Sequence, residues 1–188
     1  MTKQKNSANL IGWIKSRRVE LVALAVSAIL AVIDQVTKLL VESNFNTVGE
    51  TLPVIEGVLN LTYIRNDGAV FGSLSGKPYI FNTVTVIIVI AVIVALLMGK
   101  IKGNWLKWAA SLVIGGGIGN MIDRFRLKYV IDFIDVKLFG NLWVWVFNFA
   151  DCCVVVGCIM LIIYFIADTV KDIKQSKQNK ASKGEKDA

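Results

Sequence analysis

The chain has no histidine, only three cysteines and only two prolines in 188 residues. Without histidine, Ser-His and Cys-His nucleophilic chemistry and any histidine-ligated zinc site are excluded. Cys152, Cys153 and Cys158 fall in one apolar run without metal-ligand spacing, so they read as small packing residues. Charge is scarce too. No Asp, Glu, Lys or Arg lies between Lys77 and Lys100, and 55% of the residues are apolar. That composition is a membrane protein's.

Four runs approach the roughly 20 apolar residues that a helix needs to cross about 30 Å of hydrocarbon. They cover residues 19–41, 79–98, 105–122 and 152–167, the last beginning a few residues earlier around Phe147-Asn148-Phe149. The fold expected is an all-α integral membrane protein of four transmembrane helices with a small β-rich extracytoplasmic loop domain. A basic start before an apolar run can also be a cleaved signal peptide. Here the run continues through Asp34 to Val41 and three more follow, which favours an uncleaved first helix.

Lysine and arginine set the orientation, because short cytoplasmic segments carry the positive excess. Lys3, Lys5, Lys15, Arg17 and Arg18 precede the first run; Lys100, Lys102 and Lys107 join the second to the third; six lysines from Lys171 to Lys186 follow the fourth. With an even number of spans all three segments lie on one side, so residues 1–18 and both termini are cytoplasmic. Segments 42–78 and 123–150 then face outward. The net charge of +7 reports this topology and not nucleic-acid binding. The expected division is a four-helix membrane domain over 19–173 and a polar tail over 174–188 that reads as disordered.

In the first outward segment, Val58 to Arg65 is strand-like and meets Asn66-Asp67-Gly68, a hairpin-turn signal. In the second, Tyr129, Trp143 and Trp145 suit a surface at the lipid headgroups.

The remaining chemistry belongs to carboxylates. Asp123, Asp132 and Asp151 stand at the outer ends of the third and fourth runs, and ionisable groups at the edge of hydrocarbon are functional candidates by default. Serine-lysine chemistry stays formally open through Lys107 and Ser111, one helical turn apart. They sit on the cytoplasmic side without another polar partner, so coincidence is the better account. Two carboxylates close together cannot both ionise freely, so one keeps a proton while the other acts as base. Such a pair can polarise water toward a peptide carbonyl and pass the proton to the leaving amine. From these residues alone, either Asp123 or Asp132 can partner Asp151.

Simpler readings stand beside these. Asp123 suits an ion pair or cap with Arg124 at a helix end. Asp135 reads as a solvated surface charge, Asp67 as part of a turn, and Asp168 and Asp172 as interfacial charges. Asp34 and Lys38 are spaced for an i,i+4 pair. Gly115-Gly116-Gly117 and Gly119 suit close helix packing.

Five motifs in order, Asp34-Gln35-x-x-Lys38, Asn66-x-Gly68-Ala69 with Phe71, Gly119-Asn120-x-x-Asp123-Arg124, Val130-x-Asp132-Phe133 and Phe147-Asn148-x-Ala150-Asp151, span nearly the whole chain. Together they resemble the bacterial lipoprotein signal peptidases (signal peptidase II), aspartic proteases of the inner membrane. The resemblance implies removal of the signal peptide from diacylglyceryl-modified prolipoproteins by cleavage before the lipidated cysteine. It implies Asp132 and Asp151 as the catalytic pair. Asn120, Arg124 and Asn148 would hold substrate backbone and the aspartates, Asn66 and Gly68 would form an outer platform, and Asp34, Lys38, Asp123 and Ala150 would support the site. Val70 departs from the family pattern, where a smaller residue precedes the phenylalanine, and this bears on loop packing. The expected partners are prolipoprotein and membrane lipid, the expected unit is a monomer, and no metal or organic cofactor is required.

Two other classes compete. A transporter or channel would place its carboxylates near the bilayer midplane, often with an internal repeat, whereas Asp132 and Asp151 fall at one edge and no repeat is seen. A non-catalytic membrane partner or chaperone would tolerate loss of either aspartate. The Gly-x-Gly-Asp signature of another intramembrane aspartic protease type is missing.

Overall fold

A computed structural model describes residues 17–67, 78–137 and 145–184, with side chains described except at 78–82 and 177–184. Gly68, Ala69, Val70, Phe71 and Trp143 therefore lie outside the described residues. Four helices and one sheet follow in the order α1 (Arg18–Asn44), β1 (Thr51–Ile55), β2 (Leu59–Asn66), α2 (Pro78–Leu97), α3 (Asn104–Arg126), β3 (Val130–Val136), β4 (Val146–Phe147) and α4 (Phe149–Gly184). The two prolines sit where the missing N–H costs least, Pro53 in the edge strand β1 and Pro78 in the first position of α2.

Each helix coincides with one of the four apolar runs. α1 and the Phe149–Ser176 part of α4 are long and apolar enough to cross a membrane, and α2 contributes a shorter apolar stretch, Thr83–Leu97. Ile29, Val32, Leu40, Ile87, Ile162, Phe165 and Ile166 are exposed on these helices, as lipid-facing side chains are. Buried Ala23, Val89, Leu96 and Ile114 join α1, α2 and α3. The Ser27 hydroxyl donates across to the Ser111 carbonyl at 3.0 Å.

Glycines on α3 admit its neighbours. A side chain at Gly116 would collide with the Ala150 carbonyl of α4, and one at Gly119 would lie 2.5 Å from a carboxylate oxygen of Asp34. Gly119 thus makes room for a polar group as well as for a helix.

The basic ends of the first three helices lie together. The Arg17 guanidinium donates to the Met98 carbonyl at 3.3 Å, and Glu20 pairs with Lys107 at 3.1 Å. Lys107 is therefore bound to Glu20, and the Ser111 hydroxyl donates to its own helix at the Trp108 carbonyl, which disposes of a serine-lysine pair.

At the other end of α1 the antiparallel sheet runs β1-β2-β3-β4. Its core is Val41, Tyr63, Ile131 and Phe133, so the outer end of α1 is packed against the strands. The β1–β2 turn lies over residues 56–58, with Gly57 at φ 72°; the turn expected at Asn66-Asp67-Gly68 runs into residues outside those described. Gly57 takes the left-handed conformation without a Cβ penalty, whereas Asn66 is the last residue of β2.

The second outward segment contains β3, which pairs with β2 and is buried at Val130, Ile131, Asp132, Phe133 and Asp135, while Tyr129 and Trp145 on either side are half-buried. The polar tail expected to be disordered from Lys174 continues α4 as far as Gly184. Its Lys, Gln and Ala residues are good helix formers and no proline interrupts them.

Candidate active site

The site forms where α1, α3, β3 and the start of α4 meet. On α1, Asp34 and Lys38 are one turn apart and both fully buried, with 2.8 Å between Lys38 Nζ and Asp34 Oδ2. The ammonium also lies 3.0 Å from Asp123 Oδ2 and donates to Asn120 Oδ1 at 2.9 Å, both on α3. Its three protons therefore meet three acceptors. Gln35 Nε2 completes the cluster by donating to Asp123 Oδ1 at 2.9 Å and to the Gly119 carbonyl at 3.1 Å. Asp123 thus pairs with Lys38, not with adjacent Arg124 as expected. One residue apart on a helix the two side chains diverge, whereas Lys38 approaches from the next helix.

Both carboxylates of this cluster also hold backbone, Asp34 through its other oxygen and Asp123 through the oxygen that faces Lys38. Asp34 Oδ1 accepts from the Ala150 N–H at 2.9 Å, and Asp123 Oδ2 accepts from the Ile131 N–H at 3.1 Å. Ala150 contributes this amide and, by its small size, the contact with Gly116 and Gly119.

Asn148 precedes α4 and caps it. Its side-chain oxygen accepts from the Asp151 N–H at 2.9 Å, while Asp151 Oδ2 accepts from the Asn148 N–H at 3.2 Å, a reciprocal box at the helix start. The Asn148 side-chain amide donates to Asp132 Oδ1 at 2.6 Å and to Asn120 Oδ1 at 3.0 Å, and Asn120 donates to Asp151 Oδ1 at 2.7 Å. Two asparagines therefore fix both aspartates.

Asp132 reaches the same place from β3. A left-handed residue, Lys128 (φ 72°), turns the chain from α3 into the strand. There Val130 pairs with Asn66, so Asp132 and Asn66 share a face, and Asn66 Nδ2 donates to Asp132 Oδ2 at 2.8 Å. Burial, and after it the charge of Asp151, pushes the Asp132 carboxyl up to about 7. Donation from Asn66 and Asn148 and the charge of Lys38 act the other way. Arg124, half-buried on α3, makes no hydrogen bond or ion pair among the described residues, and its charge acts first on Asp151 and then on Asp132. A proton-holding carboxyl and a second carboxylate, with a guanidinium near both, is an arrangement suited to acid–base chemistry on a neutral, polarisable group.

Of the residues singled out in the sequence, the structure brings Asp132, Asp151, Asn66, Asn120, Asn148, Ala150, Asp34, Lys38 and Asp123 into one network, with Arg124 beside it. Gly68 lies outside the described residues. Asp135 is not a solvated charge. It is buried, accepts from the Thr62 hydroxyl at 2.9 Å and pairs with Lys137 at 3.0 Å. Its place on β3 three residues from Asp132 puts it on the opposite face of the strand. Gln35 is the member that sequence reasoning left without a role, although it stands inside the Asp34-Gln35-x-x-Lys38 motif. Among the described residues no group of three or more Cys, Asp or Glu converges as a metal cage would.

Residues 26–167 match the family described as signal peptidase (SPase) II, a stretch that contains every residue of this network. The chain belongs to the signal peptidase II family. Among its relatives is a lipoprotein signal peptidase of Enterococcus faecalis, 40% identical over 160 residues and covering 85% of this chain and 96% of the relative. One of Halothermothrix orenii is 39% identical over 137 residues, or 72% of this chain and 89% of the relative. Similar in fold is a bacterial membrane enzyme solved in meso at 2.3 Å resolution, with TM-score 0.72 and 35% identity, covering 79% of this chain and 89% of that one. For this signal peptidase II family member, membrane residence follows from both the apolar helices and that likeness.

Proposed function

We propose that the protein is an intramembrane aspartic endopeptidase that removes the signal peptide from diacylglyceryl-modified prolipoproteins, cutting before the lipidated cysteine. The observation that carries this reading is the joint fixing of Asp132 and Asp151 by Asn120 and Asn148, with Asp132 titrating near neutrality through burial and the charge of Asp151. Near neutral pH the pair shares one proton. The ionised member takes a proton from water as its oxygen bonds to the scissile carbonyl carbon, and the protonated member donates to the carbonyl oxygen. Collapse of the tetrahedral adduct breaks the C–N bond, and a proton passes from the pair to the leaving amine. Arg124 and Asn66 flank the pair and hold the substrate backbone.

All four helices cross the bacterial inner membrane in this reading. The basic ends gathered around Glu20 and Met98 face the cytoplasm with both termini, and the sheet faces outward. A signal peptide enters as an apolar helix whose cleavage region lies near the outer leaflet, so the pair meets the bond without drawing the lipid into water.

The test is cleavage of a diacylglyceryl-modified prolipoprotein by purified protein in lipid, comparing Asp132→Asn and Asp151→Asn with the exposed Asp168→Asn. Loss of about 10³-fold or more in both pair variants, with Asp168→Asn unchanged, is expected for acid–base groups. Turnover surviving in either pair variant at wild-type rate refutes the reading.

A further inference from the structure

The two carboxylates beneath the pair grip backbone at matching places. Asp34 accepts from the amide of Ala150, one residue before Asp151, and Asp123 accepts from the amide of Ile131, one residue before Asp132. A single ammonium, Lys38, holds both carboxylates at 2.8 and 3.0 Å, and it reaches Asn120, which itself donates to Asp151. We propose that Lys38 is a positioning residue that sets the separation of Asp132 and Asp151 by clamping, through Asp123 and Asp34, the backbone on which each stands.

This rests on Asp132 and Asp151 being the reacting pair. The strand and the helix that carry them are also tied by β4, where Phe147 pairs with Ile134. That tie lies two residues beyond Asp132, whereas the Lys38 cluster acts on the peptide unit next to each aspartate. A clamp for folding alone does not call for charge, because an apolar trio of similar volume stabilises a buried site as well or better. What the charged trio adds is direction. Each carboxylate has one oxygen toward Lys38, and the short Asp-to-amide bonds transmit the position of Nζ to two elements from different parts of the chain. Gln35 holds the remaining oxygen of Asp123 and prevents the carboxylate from rotating.

The groups that face Asp132 are Asp151 from α4, Arg124 from α3 and Lys38 from α1, with the amides of Asn66 and Asn148. Lys38 favours the ionised form of Asp132, so its removal raises the pH at which Asp132 loses its proton. Removal also leaves two buried carboxylates unpaired, which threatens the fold. The Lys38→Met, Asp123→Asn double variant keeps the formal charge of the cluster while breaking the clamp, and Asp34→Asn alone breaks the α4 side and leaves the cluster neutral.

The experiment measures kcat, KM and the pH profile of prolipoprotein cleavage for Lys38→Met, the double variant and Asp34→Asn in the full chain, with thermal unfolding checked for each. For misplacement of about 1 Å at the reacting groups, kcat is expected to fall about 100-fold with KM within about 2-fold. In Lys38→Met the alkaline limb, where Asp132 loses its proton, moves to higher pH; in the double variant it returns toward wild type while kcat stays low. A folded double variant with wild-type kcat overturns the proposal. So does failure of all three variants to fold, which makes the cluster a requirement of the fold and not a setting of the pair. Asp132→Asn and Asp151→Asn are assayed alongside. If they remain active, the pair itself is wrong; if they are dead and the folded Lys38 variants active, only the clamp is refuted.

Discussion

Replacing Asp132 with asparagine is expected to make the protein more stable above neutral pH and less stable in acid. Asp132 is 2% exposed, and its carboxyl is pushed from 3.8 up to about 7 by burial and then by the charge of Asp151. Between those values the folded protein keeps a proton that the unfolded chain has released. Stability therefore falls as pH rises through this window, and above it the folded state bears the full cost of a buried charge, about 4 kcal/mol at about 1.4 kcal/mol per pH unit. Asparagine bears none of it. The substitution has its own cost, however, because the carboxylate accepts from both Asn148 at 2.6 Å and Asn66 at 2.8 Å, while a carboxamide offers one oxygen and turns a donor toward the other partner. One lost bond of this kind costs about 1 to 2 kcal/mol. The variant should then be about 2 to 3 kcal/mol more stable at about pH 8 and about 1 to 2 kcal/mol less stable at about pH 4. Thermal unfolding of purified protein in detergent, followed by tryptophan fluorescence at both pH values, reads the sign directly. A variant less stable than wild type at both, or shifted equally at both, refutes the buried-charge account of Asp132.

Gly116→Ala should reduce turnover at least about 10-fold and lower the unfolding temperature, since its methyl group meets the Ala150 carbonyl backbone and forces α4, with Asp151, away from α3; prolipoprotein cleavage together with a melting curve checks both. Glu20→Ala should cost about 2 to 3 kcal/mol by leaving the largely buried Lys107 unpaired at the far end of the bundle. Cleavage by that variant, assayed where it remains folded, should stay within about 2-fold of wild type.

The helices were legible because hydrocarbon imposes a length and forbids charge, and both constraints appear as runs in the sequence. The strand β3 was not. Val130-Ile131-Asp132-Phe133-Ile134-Asp135-Val136 carries two carboxylates in an apolar run without a clean alternation, and the pairing that buries them comes from β2, some 70 residues earlier. Asp135 failed for the same reason: Thr62, its hydrogen-bond donor, is 73 residues away. Around the site, the residue types were visible in the motifs but their connections were not. Asp123 has Arg124 beside it in sequence, and a local pair looked sufficient. The actual partner, Lys38, lies on another helix and also serves Asp34 and Asn120. Sequence spacing finds neighbours on one helix. It does not find a lysine whose three acceptors come from two helices.

The reciprocal cap at the start of α4 ties the order of the helix to the readiness of the chemistry. Asp151 Oδ2 is engaged by the Asn148 amide, and Asn148 is the residue that also holds Asp132. Fraying of that first turn and disarming of the pair are thus a single event. Any substitution at Asn148 is therefore felt twice, once by the helix start and once by the network around Asp132 and Asp151.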